Sequence, residues 1–239
     1  MVFRNVYDDA ARAEAYSRLE FPGTYYLAYR DLPDILRRHV SGRRAVDFGC
    51  GAGRSTRFLQ RLAFEAVGVD VSVDMIRKAR EIDPTGDYRL VEPARLAGLA
   101  DGAWDLVLSA FTFDNIPQAD KLAHFRDLAR LLAPEGKIVS LVSTPEIYTH
   151  EWASFSTRDF PENRNARSGD LVRIVMTDVT DSRPVEDVVC SKASYLEIYR
   201  AAGLGLVVSH EPRGRADEPF AWVNETSVAP WRIDVLARA

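Results

Sequence analysis

The sequence predicts an α/β fold built on a parallel sheet, and three observations carry the prediction. From residue 43 onward short apolar runs alternate with longer segments of helical period, the pattern of strand–helix–strand units. The first apolar run, Ala45-Val46-Asp47-Phe48, passes directly into Gly49, Gly51 and Gly53 and then into a helical segment. At such a turn the missing Cβ atoms let the backbone bend sharply and approach a ligand. Finally, 239 residues that are 46% hydrophobic and 28% charged make one globular domain with a substantial core.

The elements follow in order. Residues 1–42 hold Tyr7, Tyr16, Phe21, Tyr25, Tyr26 and Tyr29, and read as an N-terminal helical lid interrupted at Phe21-Pro22-Gly23. Residues 43–239 form the main domain. Strands are expected at 45–48, 66–69, 88–91, 106–110, 138–143, 205–209 and 232–236, with helices at 55–62, 72–82, 118–132 and 192–202. The helix at 118–132 puts Leu122, Phe125, Leu128, Ala129 and Leu132 on one apolar face, and His124 falls off that face as a surface residue. Ser191 suits the N-cap of the last helix, and Gly203 the position after its C-terminus. Between the fifth strand and that helix lies an insertion, 144–190. Its β-rich runs at 171–178 and 185–189, joined by polar residues 180–184, read as an antiparallel flap. Long excursions at this point of an open sheet tend to carry function.

A net charge of −4 gives no field that would draw the chain to DNA or an anionic membrane. Two cysteines, Cys50 and Cys190, with Cys50 inside the glycine turn, fit reduced thiols in the cytoplasm. The first twenty residues contain no apolar signal core, and no apolar run is long enough for a membrane span.

The glycine turn points to a nucleotide-type cofactor, but a dinucleotide fingerprint needs its third glycine where Arg54 stands. Asp47 at the strand end would repel phosphate and suits a cationic ligand, such as a nucleoside carrying an ammonium and a sulfonium. Val67-Gly68-Val69-Asp70 ends a second strand in an acid able to hold ribose hydroxyls. Ligands gather outside the carboxyl ends of parallel strands, which selects Asp47, Gly49 and Asp70, with Val71 and Met75 flanking a base. The segment from Ser109 to Pro117, after the fourth strand, would line the wall between cofactor and substrate.

On Asp47, Gly49, Gly51, Gly53, Asp70, the run 104–109 and Leu131-Leu132-Ala133-Pro134-Glu135-Gly136-Lys137, the chain resembles the class I S-adenosylmethionine-dependent methyltransferases of small-molecule type. The resemblance covers roughly residues 43–145. It implies a Rossmann-like, doubly wound sheet of seven mostly parallel strands, S-adenosylmethionine as cofactor and a small-molecule acceptor. It further implies Glu92 near the adenine amino group, although Pro93 stands where a small residue is usual. Beside the resemblance, Tyr25 comes from the lid's pool of aromatic residues, and Arg30 suits pairing with a carboxylate, the cofactor's own among them, a surface position explaining it equally well.

Asp114, Asn115 and His150 are the catalytic candidates, with Glu151 beside the histidine. Capping of the following helix explains Asp114 and Asn115 equally well. No metal is expected, since no His/Cys/carboxylate set has ligand spacing. Asp114-Asn115-Ile116-Pro117 departs from the Asn-Pro-Pro-aromatic motif of adenine methyltransferases, which disfavours DNA, and tRNA stays open. Transfer of the aminocarboxypropyl group or a cyclisation, a non-catalytic cofactor-binding module and, last, a dehydrogenase are the alternatives. A homodimer is compatible with the aromatic N-terminal segment.

Overall fold

Strands form where the apolar runs stand, and helices where the apolar period is near 3.6. The computed structural model describes residues 23–92, 96 and 98–239, so the expectations at Tyr7, Tyr16, Phe21 and Pro93 lie outside the described residues. Two short helices, α1 (Thr24–Arg30) and α2 (Leu32–His39), lead into β1 (Arg44–Phe48), α3 (Arg54–Arg61), β2 (Glu65–Asp70), α4 (Val73–Ile82) and β3 (Asp87–Leu90). Then come β4 (Trp104–Ala110), α5 (Gln118–Leu131) and β5 (Leu132–Ser143). The insertion supplies β6 (Phe155–Ser156), β7 (Leu171–Met176) and β8 (Val185–Val188), and the chain closes with α6 (Lys192–Ala201), β9 (Leu204–His210) and β10 (Trp231–Arg238).

Seven strands make one sheet in the order β3-β2-β1-β4-β5-β10-β9. β1 through β5 run parallel, and β10 is antiparallel to both β5 and β9. The chain winds outward from β1 to β3, then returns to lay β4 on the other side of β1. That reversal is the switch point at which open α/β sheets hold ligands. Alternate side chains bury on opposite faces: Ala45, Leu106, Leu108, Val139 and Leu141 join one core, and Val46, Val107, Ile138 and Val142 the other. The first core takes in α1, α2 and the flap, and the second takes in α5 and α6.

Three expectations are corrected here. β5 begins at Leu132 instead of 138, because the stretch before Lys137 is already extended, with an irregular register against β4. On α5 the buried residues are Lys121, Phe125, Leu128, Ala129 and Leu131. The long Lys121 side chain reaches inward to donate hydrogen bonds to the carbonyls of Phe113 and, at 2.8 Å, Ile116. It thereby pins the loop after β4. Ser191 does cap α6, accepting from the Ser194 N–H at 3.2 Å, and Gly203 has φ +76°. The flap is a separate three-stranded antiparallel sheet, β6-β7-β8, one strand more than the sequence suggests. Among the described residues no helix is long and apolar enough to cross a membrane.

Candidate functional site

The glycine turn bends because Gly49, Gly51 and Gly53 all adopt positive φ, at 72°, 52° and 81°. What surrounds each differs. A Cβ on Gly49 would overlap the Thr112 side chain, whose hydroxyl donates to the Phe48 carbonyl at 2.9 Å. A Cβ on Gly53 would lie 2.7 Å from the Tyr88 hydroxyl. On Gly51 it would meet only the Met75 sulfur, at 3.9 Å, and otherwise project into open space. That space is a cavity of about 350 Å³ at the carboxyl ends of β1, β2 and β4, within the size range of small-ligand sites.

At one end, here the turn end, the cavity is bounded by Gly49, Gly51, Asp70, Val71, Met75 and Glu92. Asp70 is fixed by two backbone donors, Gly51 N to Oδ2 at 2.8 Å and Ser72 N to Oδ1 at 2.9 Å. Arg54, the first residue of α3, also lines the cavity, its guanidinium 4.9 Å from the Tyr25 ring centre and 5.4 Å from that of Tyr29.

Asp47 corrects the expectation of two carboxylates facing one ligand. It is fully buried and is not part of the cavity wall. Its Oδ2 accepts from Ser55 Oγ at 2.7 Å and Thr56 Oγ1 at 2.6 Å, so it ties β1 to the first turn of α3. Burial, partly offset by those two hydroxyls, pushes its carboxyl up to about 6. The pair Ser55-Thr56 was the available signal, since hydroxyls at a helix start seek an acceptor.

The other end is the flap end. Asp114 and Asn115 both reach the cavity, and neither caps α5, whose N-cap is Pro117. Asp114 turns to the end of β5, accepting from Ser143 N at 3.1 and 3.2 Å and from Ser143 Oγ at 2.7 Å. Burial raises its carboxyl to about 6, against hydrogen bonds from Ser143 and the charges of Lys121 and Arg232. Asn115 Nδ2 donates to Asp187 Oδ1 at 2.5 Å, and Tyr148 OH donates to Asp187 Oδ2 at 3.1 Å. Asp187 is the acid that motif reading missed. Its signal was positional: on β8 it takes the inward register between buried Val185 and Val189, where an apolar residue is expected. Aromatic rings wall this end, with Tyr25, Phe111, Phe155 and Trp231 packed at centroid distances of 4.7–5.8 Å. Phe111 is held at φ +65°, a costly conformation for a ring-bearing residue, which turns the chain at the wall.

The remaining expected residues sit elsewhere. His150 lies outside the cavity, its Nδ1 3.1 Å from both the Glu146 carbonyl and Thr149 Oγ1. Glu151 instead braces its own loop, accepting from Thr157 N at 2.8 Å and Ser156 Oγ at 2.9 Å. Arg30 pairs with Asp31 at 2.8 Å and Glu218 at 2.6 Å, joining α1 to the loop before β10. Gly53 and Ser109 lie behind the wall, the Ser109 hydroxyl fully buried with no partner among the described residues. His124, expected on the surface, instead lines the cavity with its ring 5.6 Å from that of Phe48. Burial lowers its basicity.

Residues 46–140 match the family model described as a methyltransferase domain. A ubiquinone biosynthesis O-methyltransferase of Xanthomonas oryzae pv. oryzae is 31% identical over 106 residues, covering 43% of this chain and 44% of that protein. A trans-aconitate 2-methyltransferase of Afipia carboxidovorans is 32% identical over 133 residues, 54% of this chain and 48% of that protein. The chain thus spans about half the length of the curated relatives it matches. A solved S-adenosylmethionine-dependent methyltransferase from Clostridium acetobutylicum superposes with a TM-score of 0.66 at 12% identity, over 98% of this chain and 96% of that one, and so shares the fold.

Proposed function

From the premise that this chain carries a class I methyltransferase domain, we propose that it is an enzyme transferring a methyl group from S-adenosylmethionine to a small molecule. One observation carries the reading. The only Cβ that the glycine turn could add without striking protein is at Gly51, and it would fill the cavity beside the two backbone-held oxygens of Asp70. A nucleoside fits that cradle: Asp70 would accept from the ribose hydroxyls, Val71 and Met75 would flank the base, and Glu92 would meet its amino edge. Asp70 and Glu92 at this end disfavour a phosphate group. Asp47 acts in this reading as the brace that holds the turn.

When bound, S-adenosylmethionine supplies a methyl carbon made electrophilic by its sulfonium. The chain's task is then to position the acceptor and keep water out, and positioning of this kind can supply roughly 7–11 kcal/mol. The ring cluster of Tyr25, Phe111, Phe155 and Trp231 excludes water at the flap end. The relatives' names, a ubiquinone biosynthesis O-methyltransferase and a trans-aconitate 2-methyltransferase, support a small-molecule acceptor here. The reading also has the protein in the cytoplasm, without a DNA partner, as a homodimer built through the N-terminal segment; light scattering tests the last point.

Incubating the purified protein with methyl-labelled cofactor and a metabolite extract, followed by mass spectrometry, tests the activity. Labelled product together with S-adenosylhomocysteine is expected. Methylthioadenosine as the nucleoside product would indicate transfer of the aminocarboxypropyl group instead, and no cofactor binding by calorimetry would remove the enzyme reading.

A further inference from the structure

The flap end of the cavity contains chemistry that the methyltransferase domain alone does not specify. Asp187 sits on β8, outside the matched residues 46–140, and lines the cavity, its carboxyl group bonded to two other lining residues. Each of its oxygens takes one hydrogen bond, from Asn115 and from Tyr148, and each keeps a lone pair for a ligand. Asp114 is turned away to Ser143, and the ammonium of Lys121 is directed to the carbonyls of Phe113 and Ile116. Among the described residues the arginines that line the cavity are Arg54 and Arg57, both on α3, and the Arg54 guanidinium faces the Tyr25 and Tyr29 rings. Arg57 is engaged with the Ala52 carbonyl at 2.8 Å. The flap end therefore presents hydrogen-bond acceptors and aromatic faces. An anionic acceptor would meet the carboxyl groups of Asp114 and Asp187 there. A protonated amine would find a charge-assisted partner in Asp187 and favourable ring faces in the wall.

Resting on the methyl-transfer reading, we propose that Asp187 holds and deprotonates the acceptor, and that the acceptor is a primary or secondary amine carried on an apolar or aromatic body. The ammonium binds against the Asp187 carboxylate. An N–H bond breaks as an O–H bond forms on Asp187, leaving the electron pair on nitrogen. That nitrogen then forms a bond to the methyl carbon as the carbon–sulfur bond breaks, the electrons of the broken bond remaining on sulfur. The proton on Asp187 passes to solvent when product leaves. Burial and the neighbouring Asp114 raise the Asp187 carboxyl to about 7, against the opposing effects of Tyr148, Lys121 and Asn115. A base of that strength takes a proton from an ammonium more readily than an ordinary carboxylate does.

The test is calorimetry on the protein saturated with S-adenosylhomocysteine, titrated with 2-phenylethylamine, 2-phenylethanol and 3-phenylpropanoate. The expected order is amine, then alcohol, then carboxylate, with the amine at least about tenfold tighter than the alcohol. In Asp187→Asn that advantage falls below about threefold, while the affinity for S-adenosylhomocysteine stays within about twofold of wild type. The advantage should grow between about pH 5.5 and about pH 7.5 as Asp187 loses its proton, and Tyr148→Phe, which removes a hydrogen bond that favours the carboxylate, should move that midpoint upward. The Tyr148→Phe shift carries the test should Asp187→Asn not fold. An amine no tighter than the alcohol, the case in which no probe binds included, overturns the proposal. So does an amine preference that survives Asp187→Asn. Failure of wild type to bind S-adenosylhomocysteine at all is a separate result, and it overturns the methyl-transfer reading and this proposal together.

Discussion

The turn end and the flap end of the cavity are held by different means. At the turn end the chain offers mostly backbone: glycines at positive φ, and N–H groups that fix Asp70 from residues 51 and 72. At the flap end it offers side chains from distant stretches, with Asn115 and Tyr148 meeting Asp187 across 72 and 39 positions of sequence. A backbone site at a sheet's switch point follows from local geometry and recurs wherever that geometry does. A side-chain site depends on which strands happen to meet. The matched stretch, residues 46–140, covers the turn end and, at the flap end, Phe111, Asp114 and Asn115.

Substitution at Gly51 strikes the contrast hardest. Gly51→Val should weaken S-adenosylhomocysteine binding by at least about 100-fold, roughly 3 kcal/mol. Its cost to folding should be only the roughly 1–2 kcal/mol of a left-handed residue. Calorimetry and thermal melting separate the two effects, and retained affinity would show that the open space beside Gly51 is not where a cofactor lies. Gly49→Val, colliding with Thr112, should instead lower the melting temperature by more than Gly51→Val does.

Asp70→Ala comes next, with an expected loss of about 1–3 kcal/mol in cofactor affinity. Titration calorimetry checks it, and an unchanged dissociation constant would remove Asp70 from the ribose.

Asp47 sharpens the comparison through pH. Its carboxyl stands at about 6 in the folded protein against an ordinary 3.8, so the folded state holds the proton more tightly than the unfolded chain. The stability this contributes is complete below about pH 4 and is lost as pH rises through about 6. Asp114 and Asp187 act in the same direction. Denaturant melts across that window should show wild type losing more than Asp47→Asn, by on the order of 3 kcal/mol. Equal slopes would mean that Asp47 is ionised and matched at all pH.

The smallest effect is expected at His150. Because it lies outside the cavity, His150→Ala should leave turnover within about twofold of wild type. A larger loss would extend the flap end beyond the residues that bound it here.

Legibility in the sequence follows the same division. Alternation of period 2 with period 3.6 located the strands of the main sheet and its helices, because both faces of that sheet are covered and the apolar pattern says so. Asp70 was readable as an acid at a strand tip. The direction of Asp47 was not, since a strand-end carboxylate can face a ligand or the first turn of the next helix, and the hydroxyls of Ser55 and Thr56 decide it. His124 was misplaced and Lys121 passed over because helical periodicity assigns faces by hydrophobicity, whereas His124 packs against Phe48 and Lys121 reaches carbonyls with its long stem. His150 and Arg30 carried the right chemistry in loops and helix ends whose positions only long-range contacts settle. Asp187 needed the pairing of β7 with β8 before its inward side could be told from its outward one.

The flap's register has a consequence for how this molecule can change. Val172 lies opposite Asp187 in the β7–β8 ladder, and side chains alternate along each strand. Removing one residue from the link at 177–184 would slide the ladder by a step, retire Asp187 to solvent and bring Glu186 or Val188 inward, while the seven-stranded platform stays as it is. A lineage, or an engineer, can thus change what the cavity receives by editing a hairpin, with the costly platform beneath it inherited intact.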